Sequence, residues 1–423
     1  MIDVKYIREH VDEVRENIRK RRSSVDLDEF LKLEENRLRV LQSIEETRQK
    51  RNDVAGRMKQ DGDDRDSLIQ EGKKLKERIQ ILEADFEEIK TDWEGMLHRI
   101  PNLTHKDVPE GDSDNDNVEL KQSGETPSFD FEPKDHMALA SSRGLIDFER
   151  GSKVTGAKFY FLKNQLAILE QSILRYAIDF AMGEGFEFLK TPDLAKEEIL
   201  VAKGFMPRGP EDQVYFIEGN DLALIGTSEI TVLGYHSGEV LPAESLPKKY
   251  CAFSHCFRTE AGSYGKESSG LYRVHQFSKV EMFAFCAPDQ SEGIHAEFLR
   301  LQEAFWQSLG IPYRVVDCVT GDLGGSDFRR YDIEAWMPGR NEMQGGWGEV
   351  TSTSNCTDYQ SRGLDIKYLS KENERGFMHT LNGTVVATPR ALIPVLENFQ
   401  RADGSIVIPE VLRKYTGFDE ITA

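Results

Sequence analysis

Cysteine is scarce in this 423-residue sequence: Cys251, Cys256, Cys286, Cys318 and Cys356 are all there is, an odd number set in apolar or motif-like surroundings. That usage excludes a disulfide framework and builds no zinc quartet, so the thiols read as reduced. Long apolar runs are missing too. Nothing in the chain is apolar enough over a bilayer's width, and the start, MIDVKYIREHVDEVRENIRKRR, has neither the apolar stretch of a signal peptide nor the Ser-rich, acid-poor look of a transit peptide. A cytoplasmic location without a membrane partner is expected. The third deficit is positive charge. Lys and Arg number 54 against 74 Asp and Glu, a net charge of -20, which argues against general affinity for nucleic acid because phosphate binding rests on cations that displace counterions. Any RNA contact must be local.

What is present is a chain with 39% apolar and 30% charged residues, long enough for a catalytic core and an appended module. From about Phe30 to Ile100 it reads as two long helices joined by a polar turn at Lys59 to Asp64. In the second, Leu75, Ile79, Leu82, Phe86, Ile89, Trp93, Met96 and Ile100 alternate steps of four and three, the seam of a coiled coil. The first helix carries Phe30, Leu33, Val40, Ile44, Val54 and Met58 on one stripe, interrupted by Arg37, Thr47 and Arg51. A short turn returns the chain alongside itself, so an antiparallel hairpin is expected. Pro101 stops the second helix. The acidic, turn-rich run Pro109 to Asn117 then marks a boundary. The expected division is an N-terminal domain over 1–104 with its arm at about 28–100, a linker over 105–128 and a catalytic domain over 129–423. Beyond the linker, helical stretches (Asn164 to Gly183, Gly293 to Leu309) alternate with short apolar runs (Val214 to Ile217, Tyr313 to Cys318). An α+β fold around an antiparallel sheet follows.

The chemistry concentrates in Cys256-Phe257-Arg258-Thr259-Glu260, the Gly- and Ser-rich Ala261 to Lys266, and Gly270-Leu271-Tyr272-Arg273-Val274-His275-Gln276-Phe277-Ser278-Lys279-Val280-Glu281. Two strands bracket a loop, and each carries an Arg and a Glu that a structural hairpin does not need. Downstream, Asn382-Gly383-Thr384 precedes Arg390, which opens the apolar run Ala391 to Asn398 and sits where free helix amides favour anionic phosphates.

These segments resemble the class II aminoacyl-tRNA synthetases: Phe257 to Glu281 is similar to motif 2, Asn382 to Asn398 to motif 3, and Phe186 to Pro192 to motif 1. Within the class the resemblance is to the seryl-tRNA synthetases. It extends to Thr227-Ser228-Glu229, Tyr331 to Pro338, Glu349 to Asn355 and the N-terminal hairpin, and so covers nearly the whole chain. The resemblance implies an antiparallel-sheet catalytic core with an N-terminal two-helix coiled-coil arm, homodimeric, using ATP and Mg2+. The implied reaction joins L-serine to serine tRNA through seryl-adenylate, and it leaves selenocysteine tRNA open as a second acceptor.

Roles follow from the matched motifs. In adenylate formation a carboxylate attacks the α-phosphate and pyrophosphate leaves, so positioning and charge neutralisation dominate. The resemblance places Arg258 on the α-phosphate, where a guanidinium can hold two oxygens. It places Glu260 at the adenine end, Phe277 under the base and Arg390 on the γ-phosphate, with Thr259, Val274, Val350 and Thr351 completing the ATP contacts. Glu349 and Ser352 match the metal site. At i, i+3 they fall on opposite faces of an ideal strand, so a bulge is required for both to bind one ion. Thr227, Ser228, Glu229, Glu281, Asn382 and Thr384, with Arg258, match the serine pocket, and Arg258, Glu281 and Arg390 form the catalytic set. Taken singly, Glu229 reads as a surface carboxylate and Phe277 as sheet core. A pocket that hydrogen-bonds a hydroxyl rejects alanine sharply, because its own polar groups are otherwise left unpaired. On the arm, Arg48, Arg51, Arg57, Lys73 and Lys74 form a local basic zone for the long variable arm of serine tRNA.

The sequence departs from the family pattern between Asn341 and Glu349, where Glu342-Met343-Gln344-Gly345-Gly346-Trp347-Gly348 is a few residues longer than usual. A mobile flap and a decorated loop are both open there. Three rivals remain. A synthetase of the class for threonine or proline would be expected to carry an anticodon-reading domain, for which the chain has no room after motif 3. A ligase for amino acids and carrier proteins would lack the hairpin, and an inactive RNA-binding paralogue would not keep Arg258, Glu260, Glu281, Glu349 and Arg390 together.

Overall fold

A computed structural model of the chain describes residues 1–58, 65–205, 213–260 and 270–422. The polar turn expected at Lys59 to Asp64 and the Gly- and Ser-rich loop at Ala261 to Lys266 lie outside the described residues. Two compact units emerge, Ile2–Pro101 and Asn102–Ala423 together with Met1.

In the first unit two short helices, α1 (Val4–Glu9) and α2 (Val11–Lys20), precede the long pair α3 (Leu27–Arg57) and α4 (Arg65–Leu97). Asp26 starts α3 as an N-cap whose carboxylate accepts from the Asp28 and Glu29 amides at 2.9 and 3.0 Å. Phe30 stacks on Trp93, Arg48 pairs with Glu83, and Val54 lies beside Gly72. Partners step back along α4 as α3 advances, so the pair is antiparallel. Every expected seam position of α4 is buried or half-buried. Arg37, which interrupts the α3 stripe, is accommodated by laying its guanidinium 4.6 Å from the Trp93 ring centroid while Glu34 accepts from its Nε at 2.8 Å. The helix ends at Leu97, before Pro101, in a tight turn where the Ile100 amide donates to Leu97 O at 3.2 Å.

The second unit is built on an eight-stranded sheet. Its strands in chain order are β1 (Val118–Ser123), β2 (Glu187–Lys190), β3 (Lys248–Phe257), β4 (Gln276–Cys286), β5 (Tyr313–Asp317), β6 (Arg329–Met337), β7 (Gly346–Thr357) and β8 (His379–Thr388). In space they run β1-β5-β6-β7-β8-β4-β3-β2, antiparallel except for the parallel edge pair β2 and β3. The stretch read as a linker therefore supplies a sheet edge: β1 pairs with β5, and its apolar Val118 and Leu120 stay exposed, so no buried stripe announced it. Val214 to Ile217 yields only the two-residue strand Tyr215–Phe216.

Two helices cover one face, α5 (Asn164–Gly183) and α6 (Ser291–Ser308). Phe298, Phe305 and Trp306 of α6 are fully buried there, and each Phe contributes about 1.5–3 kcal/mol by leaving water. Strand β4 is buried on both faces. Val280, Met282, Ala284 and Cys286 point into this main core, while Phe283 and Phe285 enter a smaller apolar cluster on the other side.

Candidate active site

Alternation along the central strands decides which side chains reach the face away from α5 and α6. On β4 that face carries Phe277, Lys279 and Glu281, in step with Phe283 and Phe285. On β8 it carries Asn382 and Thr384, whereas Leu381 and Val385 join the main core. Two register shifts then adjust the pattern. Opposite β4, the pairing jumps from Val280 with Val386 to Glu281 with Thr384, which leaves Val385 unpaired and brings Thr384 Oγ1 to donate to Glu281 Oε2 at 3.0 Å. Between β6 and β7 it jumps from Ile333 with Thr351 to Glu334 with Glu349, leaving Val350 as the extra residue. That is the bulge required for Glu349 and Ser352 to share a side, and both line the same cleft.

The face holds two adjoining cavities. One is a cleft walled by Glu260, Arg273, Phe277, Glu349 and Arg390; the other is a pocket walled by Thr227, Glu229, Glu281, Asn382 and Lys203. Arg258, Lys279, Ser352 and Thr384 line both. Arg258 follows β3 and is fixed by its surroundings: Nε and Nη2 donate to Gly226 O at 3.3 and 3.2 Å, and its Cζ lies 5.2 Å from the Phe277 ring and 6.0 Å from Phe205. Glycine at 226 leaves room for the Phe205 ring, since a Cβ there would sit 2.3 Å from it.

Each carboxylate of the face has a cation. Glu281 takes Lys279 Nζ at 2.6 Å and Glu229 takes Lys203 Nζ at 3.2 Å. Glu229 also accepts from Gln360 Nε2 at 2.8 Å and Asn382 Nδ2 at 3.1 Å, so it orients the pocket wall as well as charging it. Burial pushes the Glu281 carboxyl above its ordinary pKa, and Lys279 offsets only part of that. Burial also works against the Lys203 charge, but Glu229 and Asp327 outweigh it and raise that pKa. In the cleft, Arg390 Nη1 lies 3.3 Å from Glu349 Oε1. Desolvation opposes the Glu349 charge, yet Arg390, Arg330, Arg258 and Arg273 together hold its carboxyl below the usual value.

Most of the expected site residues converge here, three with a qualification. Ser228 turns into the core, where its hydroxyl donates to Ala252 O at 3.4 Å, because it is the first helical residue after the N-cap Thr227. Thr259 is outside both linings; its amide donates to Gln213 O at 3.2 Å. Thr351 lines the cleft but its hydroxyl accepts from Trp306 Nε1 at 3.2 Å, on the core side of the bulge. Glu229, a surface carboxylate when read alone, is 3% exposed. Arg48, Arg51, Lys73 and Lys74 are exposed on the arm, as is Arg57 near the end of α3. Sequence reasoning passed over four residues: Lys203, Lys279, Gln302, and Arg273, whose Nη1 pairs with Glu260 Oε2 at 2.7 Å. Arg273 and Lys279 stood within motif 2, and the step of two that separates Lys279 from the assigned Phe277 and Glu281 was a usable signal. Lys203 and Gln302 lie on helices with nothing to mark them.

The extra length before Glu349 is a turn in the hairpin between β6 and β7. Asn341, Glu342 and Met343 adopt positive φ of 50, 53 and 71°, and Trp347 belongs to β7, its ring centroid 5.1 Å from that of Trp336 across the strands. Cys318, Asp322 and Asp332 cluster closely enough to suggest a cation site, but Arg330 fills it, with Nη2 at 2.6 Å from Asp322 and 3.0 Å from Asp332.

Comparisons with known proteins match this geometry to one family. Residues 1–104 match the seryl-tRNA synthetase N-terminal domain, and residues 215–399 match the class II tRNA synthetase core domain of the G, H, P, S and T enzymes. The serine–tRNA ligase of Treponema denticola is 50% identical over 423 residues, covering 100% of both chains, and that of Rubrobacter xylanophilus is 46% identical over 100% of this chain and 99% of its own. Among solved structures, seryl-tRNA synthetase from Pyrococcus horikoshii complexed with ATP superposes with a TM-score of 0.89 at 37% identity, covering 100% of this chain and 99% of that one. The cytoplasmic serine–tRNA ligase of Naegleria fowleri in complex with AMP gives 0.83 at 32% identity, with the same coverage.

Proposed function

The chain belongs to the seryl-tRNA synthetases of class II, and from that premise we propose how its two cavities divide the work of an aminoacyl-tRNA ligase. The reaction is the family's: serine and ATP give seryl-adenylate and pyrophosphate, and serine then passes to the 3′ end of its tRNA. The cleft takes ATP and the pocket lined by Glu229 and Glu281 takes serine. The observation that carries this division is the set of four residues common to both linings, Arg258, Lys279, Ser352 and Thr384. They stand where a carboxylate and an α-phosphate would have to meet.

In this reading Arg258 bridges the serine carboxylate and the α-phosphate, and it offers the ligand Nη1 and the second Nη2 hydrogen while Gly226 O holds its other donors. Phe277 supports the adenine, Glu260 fixes its edge, and Arg390 takes the γ-phosphate. The serine ammonium goes to the Glu281 and Glu229 side, and its hydroxyl meets Thr384 and Asn382. Adenylation needs two anionic reactants side by side, and cations already paired within the protein lower the cost of bringing them together. Glu349 and Ser352, brought to one side by the Val350 bulge, fit a hard cation that prefers oxygen donors and retains water. Magnesium bound there would neutralise phosphate charge.

The arm's exposed Arg51, Lys73 and Lys74 support binding of the variable arm of serine tRNA. The open sheet edge at β2, with Phe188 exposed on it, supports a homodimer. Five free, buried cysteines fit a cytoplasmic location, and no helix among the described residues is long and apolar enough to cross a membrane. A carrier-protein ligase or an inactive paralogue is not favoured, since the relatives match along the full length, arm included. Serine-dependent exchange of pyrophosphate into ATP tests the reading, and no exchange with serine would sink it. Charging assays with serine and selenocysteine tRNA then define the acceptors.

A further inference from the structure

The hairpin between β6 and β7 is built to put one side chain in one place. At its base the Gly339 amide donates to Glu397 Oε2 at 2.8 Å, and the Gly345 amide closes the turn onto Arg340 O at 3.0 Å. Its glycines leave room for neighbouring side chains: a Cβ on Gly345 would lie 2.2 Å from the Trp336 ring, and one on Gly348 would lie 2.5 Å from Arg340 Nη1, the mobile end of that side chain. Gly348 therefore leaves the lane through which the Arg340 side chain crosses the hairpin. It ends with Cζ 4.9 Å from the Tyr272 ring centroid.

The same ring carries Arg390, whose Cζ is 4.5 Å from the centroid. Tyr272 meets Arg390 in two further ways. Its carbonyl accepts from Arg390 Nε at 3.3 Å, and its hydroxyl donates at 3.3 Å to Glu349 O, the carbonyl that also accepts from Arg390 Nη1 at 3.1 Å. A long arginine side chain loses considerable rotamer freedom when a phosphate fixes it, and a ring that fixes it beforehand reduces that cost. Aromatic faces attract guanidinium groups most strongly where water is excluded. Two guanidiniums on one ring also repel each other, and an arriving polyanion relieves that repulsion.

We propose that Tyr272, held by Arg340 of the long hairpin, is a positioning residue that sets Arg390 for the triphosphate end of ATP. The proposal rests on the reading of Arg390 as the γ-phosphate ligand. It gives the Gly345 to Gly348 run a purpose: the hairpin is a brace for the phosphate site, its Arg340 standing outside the cleft lining and acting through Tyr272, which is part of that lining.

The test is steady-state pyrophosphate exchange on the full-length protein, with KM measured separately for ATP and serine. Y272L raises KM for ATP about tenfold, within the range a cation–π contact supports, and leaves KM for serine unchanged. Y272F, which keeps the aromatic face, recovers most of the loss. R340M raises KM for ATP about threefold. G348A reproduces it by displacing Arg340, and the R340M/G348A double variant is no worse than R340M, since both remove one contact. Thermal melting confirms that each variant is folded, and R340M, remote from the core, serves if G348A is not. Equal damage in Y272F and Y272L, a parallel rise in KM for serine, or ATP binding within twofold of wild type in both Y272L and R340M overturns the brace. An R390Q variant separates the two layers: if it leaves KM for ATP unchanged, the phosphate assignment falls and the brace with it, whereas a damaged R390Q beside an unaffected Y272L sinks the brace alone.

Discussion

Replacing Arg258 by lysine keeps the charge between the two cavities but removes the fork, and the structure allows the loss to be sized. Arg258 spends Nε and one Nη2 hydrogen on Gly226 O and is flanked by Phe277 and Phe205. An ammonium cannot hold that carbonyl and two ligand oxygens in one plane, so at least one donor to the developing charge is lost. Removing one such donor costs about 2.7–4 kcal/mol of transition-state stabilisation, a fall of about 10² to 10³ in rate. The Gly226 carbonyl left without these donors adds only about 1 kcal/mol to the cost in folding stability. R258K should therefore melt within a few degrees of wild type while pyrophosphate exchange drops by those two to three orders, with KM for serine and for ATP both raised because the residue faces both cavities. Transfer from preformed seryl-adenylate to tRNA, followed in a single turnover, should suffer less than its formation. An exchange rate for R258K within tenfold of wild type would refute the placement of Arg258 at the reacting centre.

Burial holds the His295 pKa down at about 4, with the Thr353 carbonyl, at 3.1 Å from Nε2, only partly opposing it. The unfolded chain takes up its proton first as pH falls, so stability is lost between about pH 6.5 and 4, up to about 3 kcal/mol, and H295Q should flatten that part of a urea-midpoint profile; an unchanged slope would contradict it. Gln302 Nε2 donates to Ser352 O at 2.7 Å and Thr384 O at 2.8 Å, tying β7 to β8 beneath the site, so Q302L should cost about 2–4 kcal/mol in urea unfolding and raise KM for serine. A cost under 1 kcal/mol would mean that the two carbonyls find other donors. Replacing Val40 through Trp93 by a short linker should spare serine activation and cripple tRNA charging, and the triple change of Arg51, Lys73 and Lys74 to Gln should raise KM for tRNA alone and weaken its salt dependence. Unimpaired charging without the arm would overturn its assignment.

Helices were legible where burial writes a long period. The seam of α4 and the span Asn164 to Gly183 stand in the structure as their apolar spacing indicated, because a helix packed on one side must repeat every three to four residues. Strand β1 was not legible. An edge strand owes its place to backbone pairing with β5, and VELKQS with exposed Val118 and Leu120 carries no stripe for a core. The same limit hid Lys203 and Gln302: each acts at the site from a helix, and which neighbour a helical side chain meets across a fold is a tertiary fact that its own sequence window does not contain.

The site shows where local reading reaches further. A carboxylate and a hydroxyl three residues apart on a strand cannot serve one ion without an irregularity, and the register shift at Val350 supplies it. The shift at Val385 does the same for Glu281 and Thr384, though no pair of functional residues on one strand signalled it. Chemistry could therefore predict a bulge where two functional groups share a strand, but not where they come from different strands. The hairpin before Glu349 is the intermediate case. Its glycines mark close approaches that the sequence alone leaves without partners, and the partners turn out to be Trp336 and Arg340, residues of the same hairpin. A glycine run beside a functional motif is thus better read as space reserved for a specific side chain than as slack, and at Gly348 the space is reserved for the guanidinium that rests on Tyr272.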